Sequence, residues 1–138
     1  MDYSENVSKV NIRFSDIDLF GHVNNAVYLT YFEEARIKFF DEIVDYGYDW
    51  SNQGVILAKF NVDFILPVYF KQDVFIRTKC CRIGNKSFDL LYEMFTIKEH
   101  KEITLNTATS VMVMYDYVNK CSITIPESWK MALSKTNK

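Results

Sequence analysis

The chain has 138 residues and 16.3 kDa, of which 49% are hydrophobic and 16% aromatic. That suits one domain with a core that needs no disulfide or metal staple. A formal net charge of −2, with no basic tail or Lys/Arg run, argues against a nucleic-acid partner, and no apolar run approaches the ~20 residues that span a bilayer.

The first residues, M-D-Y-S-E-N-V-S, lack the basic and apolar regions of a secretory leader. Cys80, Cys81 and Cys121 make an odd count without C-x-x-C or Cys/His ligand spacing, so they read as reduced thiols of a cytoplasmic protein with no zinc site. The aromatic share leaves two readings open: a Phe- and Tyr-rich core, or apolar surface buried against a second copy. Residues 8–13 alternate as a short strand. The loop 15–24 then packs Asp16, Asp18, Gly21, His22 and Asn24 together just before an apolar stretch, a density of polar groups that is costly to desolvate without a use.

Asn24 or Asn25 suits the N-cap of a helix. Val27, Tyr28, Tyr31, Phe32, Ala35, Phe39 and Ile43 follow at helical spacing, with Glu33, Arg36, Asp41 and Asp45 mostly off the stripe. The spacing predicts a helix of about five turns ending at Tyr46, with Gly47 just beyond it. The period then changes to two. Residues 55–66 place Ile56, Ala58, Phe60, Val62, Phe64 and Leu66 on one face, and Pro67 ends the strand.

Residues 73–83 alternate Val74, Ile76, Thr78 and Cys80 with Phe75, Arg77, Lys79 and Cys81. Gly84-Asn85 predicts a hairpin turn with positive φ. In residues 87–97, Phe88, Leu90, Tyr92 and Met94 share a face, and 98–102 is a charged turn holding His100. Residues 103–115 form a long strand with Leu105, Val111, Val113 and Tyr115 on one side, and Asn106, Ala108, Ser110, Met112 and Met114 on the other. A short helix over 126–133 starts at a proline. Strands joined by short turns pair antiparallel, and the long apolar helix is the element able to cover their sheet.

This order, with D-x-D-x-x-G-H-V-N-N-x-x-Y-x-x-Y-F-E-x-A-R from Asp16 to Arg36, resembles the hotdog-fold acyl-CoA thioesterases, 4-hydroxybenzoyl-CoA thioesterase-like group. Asp63-Phe64, Pro67, Asp73, Thr78 and Gly84-Asn85-Lys86-Ser87 extend the likeness over nearly the whole chain. The resemblance implies an α+β fold, a curved antiparallel sheet of about five strands wrapped around one helix. It further implies a homodimer or homotetramer with active sites at the subunit interface, an acyl-CoA substrate, and no metal or redox cofactor. By position, the catalytic carboxylate falls on Asp18, as general base or as nucleophile. The carbonyl-polarising N–H falls at or near Asn25. His22, with Asn24 or Asn25, matches residues assigned catalytic roles in acyl-carrier-protein thioesterases. Glu33 is the nearest counterpart of the helix glutamate that other hotdog thioesterases use.

The chemistry fits these residue types. Thioester hydrolysis needs an activated water or nucleophile, and a place for negative charge on the carbonyl oxygen. A helix N-terminus offers free N–H groups and a favourable dipole. Gly21 permits an unusual backbone and close substrate approach. A solvated aspartate, with pKa ~3.9, is a poor base at neutral pH, and burial beside Phe20 and Tyr28 would correct this.

Each residue also has a plainer role. Asp18 suits an Asx turn, Asp16 a loop acceptor of backbone N–H groups, and His22 a loop-orienting residue. Tyr28 and Tyr31 read as packing residues, Tyr28 with a place in the acyl pocket. Glu33 and Arg36 are spaced for a helix ion pair. Arg77, Lys79, Arg82 and Lys86 make a basic edge, either solvated or facing CoA phosphates or a carrier protein. Besides an acyl-CoA thioesterase, the sequence admits an acyl-carrier-protein thioesterase and a non-catalytic acyl-CoA-binding module.

Overall fold

The computed structural model describes residues 3–134; the first two positions of the N-terminal stretch lie outside it. The elements run β1 (Glu5–Lys9), a 3-10 turn (Phe14–Asp16), a second 3-10 turn (Asn25–Val27), α1 (Tyr28–Ile43), β2 (Gln53–Phe64), β3 (Val74–Ile83), β4 (Ser87–Lys98), β5 (Lys101–Asp116), β6 (Cys121–Ser122) and α2 (Glu127–Leu133). Among these residues the strands form one antiparallel sheet in the order β1-β3-β4-β5-β2, with the two-residue β6 also paired to β5. The expected sheet of about five strands is therefore present, with β6 as a small addition.

The sheet closes around α1. Tyr28, Tyr31, Phe32, Ala35, Phe39 and Ile43 are buried, as the stripe predicts. They share one core with Val74, Ile76 and Cys80 of β3, the even face of β4 from Phe88 to Met94, and Ala108, Met112 and Met114 of β5. Met112 and Met114 are thus largely core. Register shifts at Leu57/Lys59, Cys80/Arg82 and Met94/Phe95 interrupt the ladders, and such bulges bend and twist a sheet.

Several expectations need correction. The first strand is Glu5–Lys9 rather than 8–13; its ladder with β3 runs from Glu5/Lys79 to Lys9/Phe75, and a last bond from the Val10 N–H to the Val74 carbonyl (2.8 Å) uses the first residue of β3. The helix stops at Ile43; Val44 turns extended, and Gly47 (φ +85) serves the next turn. The bulge at Ala58 reverses the parity of β2. Val55 and Leu57 lie opposite the core residues Met114 and Met112, and beyond the bulge Phe60 and Val62 lie opposite Ser110 and Ala108. Ile56 therefore leaves the face assigned to it.

The 84–86 connection spans three residues and needs no positive φ at Gly84 or Asn85. Gly84 instead sits in a tight space, since a Cβ there would lie 3.1 Å from the Ser87 carbonyl and 2.5 Å from the end of the Arg82 side chain, which would have to shift. Among hairpin turns, it is the two-residue β4–β5 connection that takes positive φ, at Glu99 (φ 53) and His100 (φ 64), a conformation usually left to Asn and Gly. Finally, Arg36 is buried despite lying off the apolar stripe, its guanidinium lying 5.7 Å from the Phe60 ring centroid and 6.0 Å from that of Tyr92.

Candidate active site

The loop before α1 folds as a miniature hairpin. Ile17 and Val23 bridge, the Asp18 N–H donates to the His22 carbonyl (3.0 Å), and the Gly21 N–H donates back to the Asp18 carbonyl (3.1 Å). Gly21 makes this possible at φ +87, where a side chain would be strained. The buried Val23 anchors the hairpin to the segment after β2, its N–H donating to the Val68 carbonyl at 2.8 Å, and His22 bridges Tyr69. At the tip, Leu19 is 96% and Phe20 79% exposed. Phe20 thus does not cover Asp18 within one copy, contrary to expectation, because the tip points away from the core.

Asp16 locks this loop to the helix. It is 3% exposed, and its Oδ2 accepts from the Tyr31 hydroxyl (2.6 Å) and the Arg13 N–H (3.0 Å). Its Oδ1 lies 3.4 Å from the Arg13 guanidinium, and its carbonyl accepts the Asn24 N–H. Burial pushes the Asp16 pKa up, but the Tyr31 and Arg13 hydrogen bonds and the Arg13 charge outweigh it and hold the carboxyl below its usual value. Burial, reinforced by the same bond to Asp16, drives the Tyr31 hydroxyl far above its own.

Asp18 stands differently. Its side chain is 24% exposed; Oδ1 accepts the Phe20 N–H at 2.9 Å in an Asx turn, and Oδ2 lies 3.9 Å from His22 Nδ1. The His22 ring sits between Phe20 and Tyr69, each 6.3 Å away by centroid. At the helix entry Asn24 caps the 3-10 turn that leads into α1, its Oδ1 accepting the Ala26 N–H at 2.9 Å while its carbonyl takes the Val27 N–H; α1 itself begins after Val27 with no side-chain cap. The Asn24, Ala26 and Val27 N–H groups are all used. Among the described residues the N–H of the exposed Asn25 has no acceptor.

Tyr28 is buried one turn on, edge to face with Phe64 at 5.0 Å. Its hydroxyl is pushed up by burial, opposed by a backbone hydrogen bond at Val68 and reinforced by the nearby Asp18 charge. Asp18, Gly21, His22, Asn24, Asn25 and Tyr28 therefore share one end of α1. Glu33 does not join them within a single copy. It forms no ion pair with Arg36, and both line a separate cavity between α1 and β2. The sequence reading missed Tyr69, whose place beside His22 depends on the turn after Pro67 and has no local motif.

Of the basic edge, the two arginines are engaged, while Lys79 and Lys86 stay exposed. Arg77 pairs with Glu93, Glu102 (3.0 Å) and Glu5 (3.6 Å) over the Phe95 ring, and Arg82 grips Asp89 at 2.8 and 2.9 Å. Burial lifts the Cys80 thiol to about 12, which suits a packing residue rather than a nucleophile. Among the described residues no group of three or more His, Cys, Asp or Glu side chains could hold a metal ion, and no helix is long and apolar enough to cross a membrane.

A family model described as the thioesterase-like superfamily matches residues 12–133. The chain belongs to that superfamily. That membership agrees with the resemblance carried by the junction motif. The uncharacterized protein YsmA of Bacillus subtilis (strain 168) is 32% identical over 85 residues, 62% of this chain and 57% of that protein, so the match spans little over half of the curated relative.

A thioesterase from Thermus thermophilus, solved with coenzyme A and Zn, is 26% identical, with a TM-score of 0.78 over 92% of this chain and 90% of that one. An aspartate-to-asparagine mutant of 4-hydroxybenzoyl-CoA thioesterase, solved with 4-hydroxybenzoyl-CoA, superposes with a TM-score of 0.85 at 16% identity, covering 94% and 99% of the two chains. The curved sheet around α1 is the hotdog fold.

Proposed function

We propose that this member of the superfamily hydrolyses an acyl-CoA thioester, with Asp18 as the reacting carboxylate and the Asn25 N–H as the donor to the carbonyl oxygen. The observation that carries the reading is the free Asn25 N–H at the helix entry, on a turn whose other N–H groups are used. A donor fixed there stabilises the negative charge that develops on the oxygen, an effect of ~2.7–4 kcal/mol for one such group.

Asp18 Oδ2 has no hydrogen bond, while Oδ1 is held by the Phe20 N–H, so one oxygen positions the group and the other is open for chemistry. As base, Asp18 takes a proton from water, whose oxygen bonds to the carbonyl carbon as the C–S bond breaks. The sulfur leaves as thiolate and recovers the proton. As nucleophile, Asp18 bonds to the carbonyl carbon as the C–S bond breaks and the CoA thiolate leaves; water then opens the resulting mixed anhydride, returning the Asp18 carboxylate, the free acid and the proton that the thiolate takes up. His22 orients the loop beside Asp18, Gly21 and Asn24 shape it, and Tyr28 lines the start of the acyl site.

A homodimer or homotetramer completes the reading. Phe20, Leu19 and the run Phe64, Ile65, Leu66 leave an apolar surface beside Asp18, and the free edge of β2 adjoins it. A second copy there would exclude water from Asp18 and offer the route by which its Glu33 reaches the site. The engagement of Arg77 and Arg82 by carboxylates weighs against a carrier-protein substrate, and the coenzyme A complexes of the relatives weigh towards CoA. The cytoplasm, where such thioesters and reduced cysteines coexist, is the proposed location.

The test is thiol release from short, long and aromatic acyl-CoAs by wild type and Asp18→Asn. The variant should lose about 10²–10⁴-fold in kcat with its melting midpoint kept. Near-normal turnover would remove Asp18 from the reaction.

A further inference from the structure

The segment after Pro67 lies against the site hairpin as a third short strand. Ile17 bridges Val23 and His22 bridges Tyr69, both antiparallel. Carried one residue further, these registers set Asp18 opposite His22 and Val23 opposite Val68. The bonds from the Asp18 N–H to the His22 carbonyl (3.0 Å) and from the Val23 N–H to the Val68 carbonyl (2.8 Å) agree with both pairings. Side chains alternate between the two faces of such a ribbon. One row is therefore Ile17, Val23 and Val68, turned to the core, with Val23 and Val68 fully buried. The other row is Asp18, His22 and Tyr69.

Contacts along the second row match this register. His22 Nδ1 lies 3.9 Å from Asp18 Oδ2 and 3.5 Å from the Val23 carbonyl, both acceptors. Tyr69 stands across His22 from Asp18, edge to face, with 6.3 Å between centroids and 82° between planes, a favourable aromatic geometry. Phe20 lies nearly parallel to the imidazole at 20°. An imidazole that left Asp18 along the row would turn towards the Tyr69 ring.

Tyr69 is itself fixed. Its N–H donates to Gln72 Oε1 (2.8 Å), and the Gln72 N–H donates back to its carbonyl (3.3 Å). The neighbouring Phe70 stands edge-on to Phe14 at 5.8 Å, two residues before Asp16. Among the described residues the Tyr69 hydroxyl makes no hydrogen bond, so the ring is what His22 meets. Every one of these contacts lies within one copy of the chain.

We propose that Tyr69 is a positioning residue: its ring holds the His22 imidazole against Asp18 and so fixes the direction of the open Asp18 Oδ2. The inference rests on the reading of Asp18 as the reacting carboxylate, and its first test needs no substrate.

That test is proton NMR of the imidazoles. His22 and His100 are the two histidines of the chain, and the exposed His100 is the reference. The His22 ring protons should resonate away from those of His100, displaced by the Phe20 and Tyr69 rings. In Tyr69→Ala they should move towards the His100 values, and in Tyr69→Phe they should stay near the wild-type ones. Tyr69 is 48% exposed, so truncation there leaves the core intact. Unmoved His22 signals in Tyr69→Ala overturn the proposal.

Steady-state turnover of an acyl-CoA then tests what the contact is for. Tyr69→Ala should lower kcat roughly 10–10²-fold, the scale of a small misplacement of a reacting group, with KM kept, and Tyr69→Phe should restore it. In a His22→Ala background Tyr69→Ala should add no further loss, because residues that act as one unit are not additive. Independent losses that multiply, or a change confined to KM, overturn the proposal. If the wild type turns over no acyl-CoA, or Asp18→Asn turns over normally, the reading of Asp18 falls by itself, and the His22 signals still decide whether Tyr69 holds the ring.

Discussion

Replacing Tyr31 by Phe tests the link between the helix and the loop that carries Asp18. The hydroxyl and Asp16 are both buried and 2.6 Å apart. The substitution removes one oxygen and leaves the ring, so little packing is lost. A hydrogen bond to a charged acceptor contributes ~1.5–3 kcal/mol. Asp16 keeps the Arg13 N–H and guanidinium, so the loss should fall within that range. For a domain of this size it corresponds to a fall of roughly 5–15 °C in Tm.

The effect must also depend on pH. The folded pKa of Asp16 lies below its ordinary value, so its contribution is complete above the unfolded carboxylate pKa of ~3.9 and is lost as pH falls through the lower folded value. Urea unfolding of both proteins at pH 7, and again at successively lower pH, should show a gap that narrows in acid. A gap below ~0.5 kcal/mol at neutral pH, within the scatter of ordinary surface substitutions, would refute the reasoning. So would a gap that ignores pH.

Asn24→Ala removes the side-chain acceptor of the Ala26 N–H and should cost ~1 kcal/mol in urea unfolding, with Asn24→Ser restoring most of it. The freed turn should also raise KM for acyl-CoA, since the Asn25 N–H lies inside it. Arg77→Gln should lower stability and leave KM for acyl-CoA unchanged, because the guanidinium is already engaged by Glu5, Glu93 and Glu102; a raised KM in steady-state kinetics would return the basic edge to the binding site.

The features legible along the chain are local ones. The 3.6-residue stripe from Tyr28 to Ile43 places the core helix, because burial of a helix needs one apolar face. The alternation in β3 and β4 assigns their inward faces, and the pair Asn24-Asn25 marks the approach to the helix; the structure selects Asn24, whose side chain caps the 3-10 turn before α1 at the Ala26 N–H. Within the motif, the residues from Asp16 to Tyr28 meet at one end of α1 because they lie in one short hairpin and the turn after it, whereas Glu33 and Arg36 line a separate cavity.

The remaining features arise from contacts between distant segments. The bulge at Ala58 exists only against β5, so the parity of β2 beyond it was not written in local alternation. Asp16 and Asp18 are alike in sequence; their different surroundings arise because Tyr31 and Arg13 close on the first while the exposed hairpin tip leaves the second partly open. Arg36 reads as a solvated helix charge until β2 and β4 bring Phe60 and Tyr92 beside it. Burial and pairing of a charge depend on which distant strands arrive, and that is information no window along the chain contains.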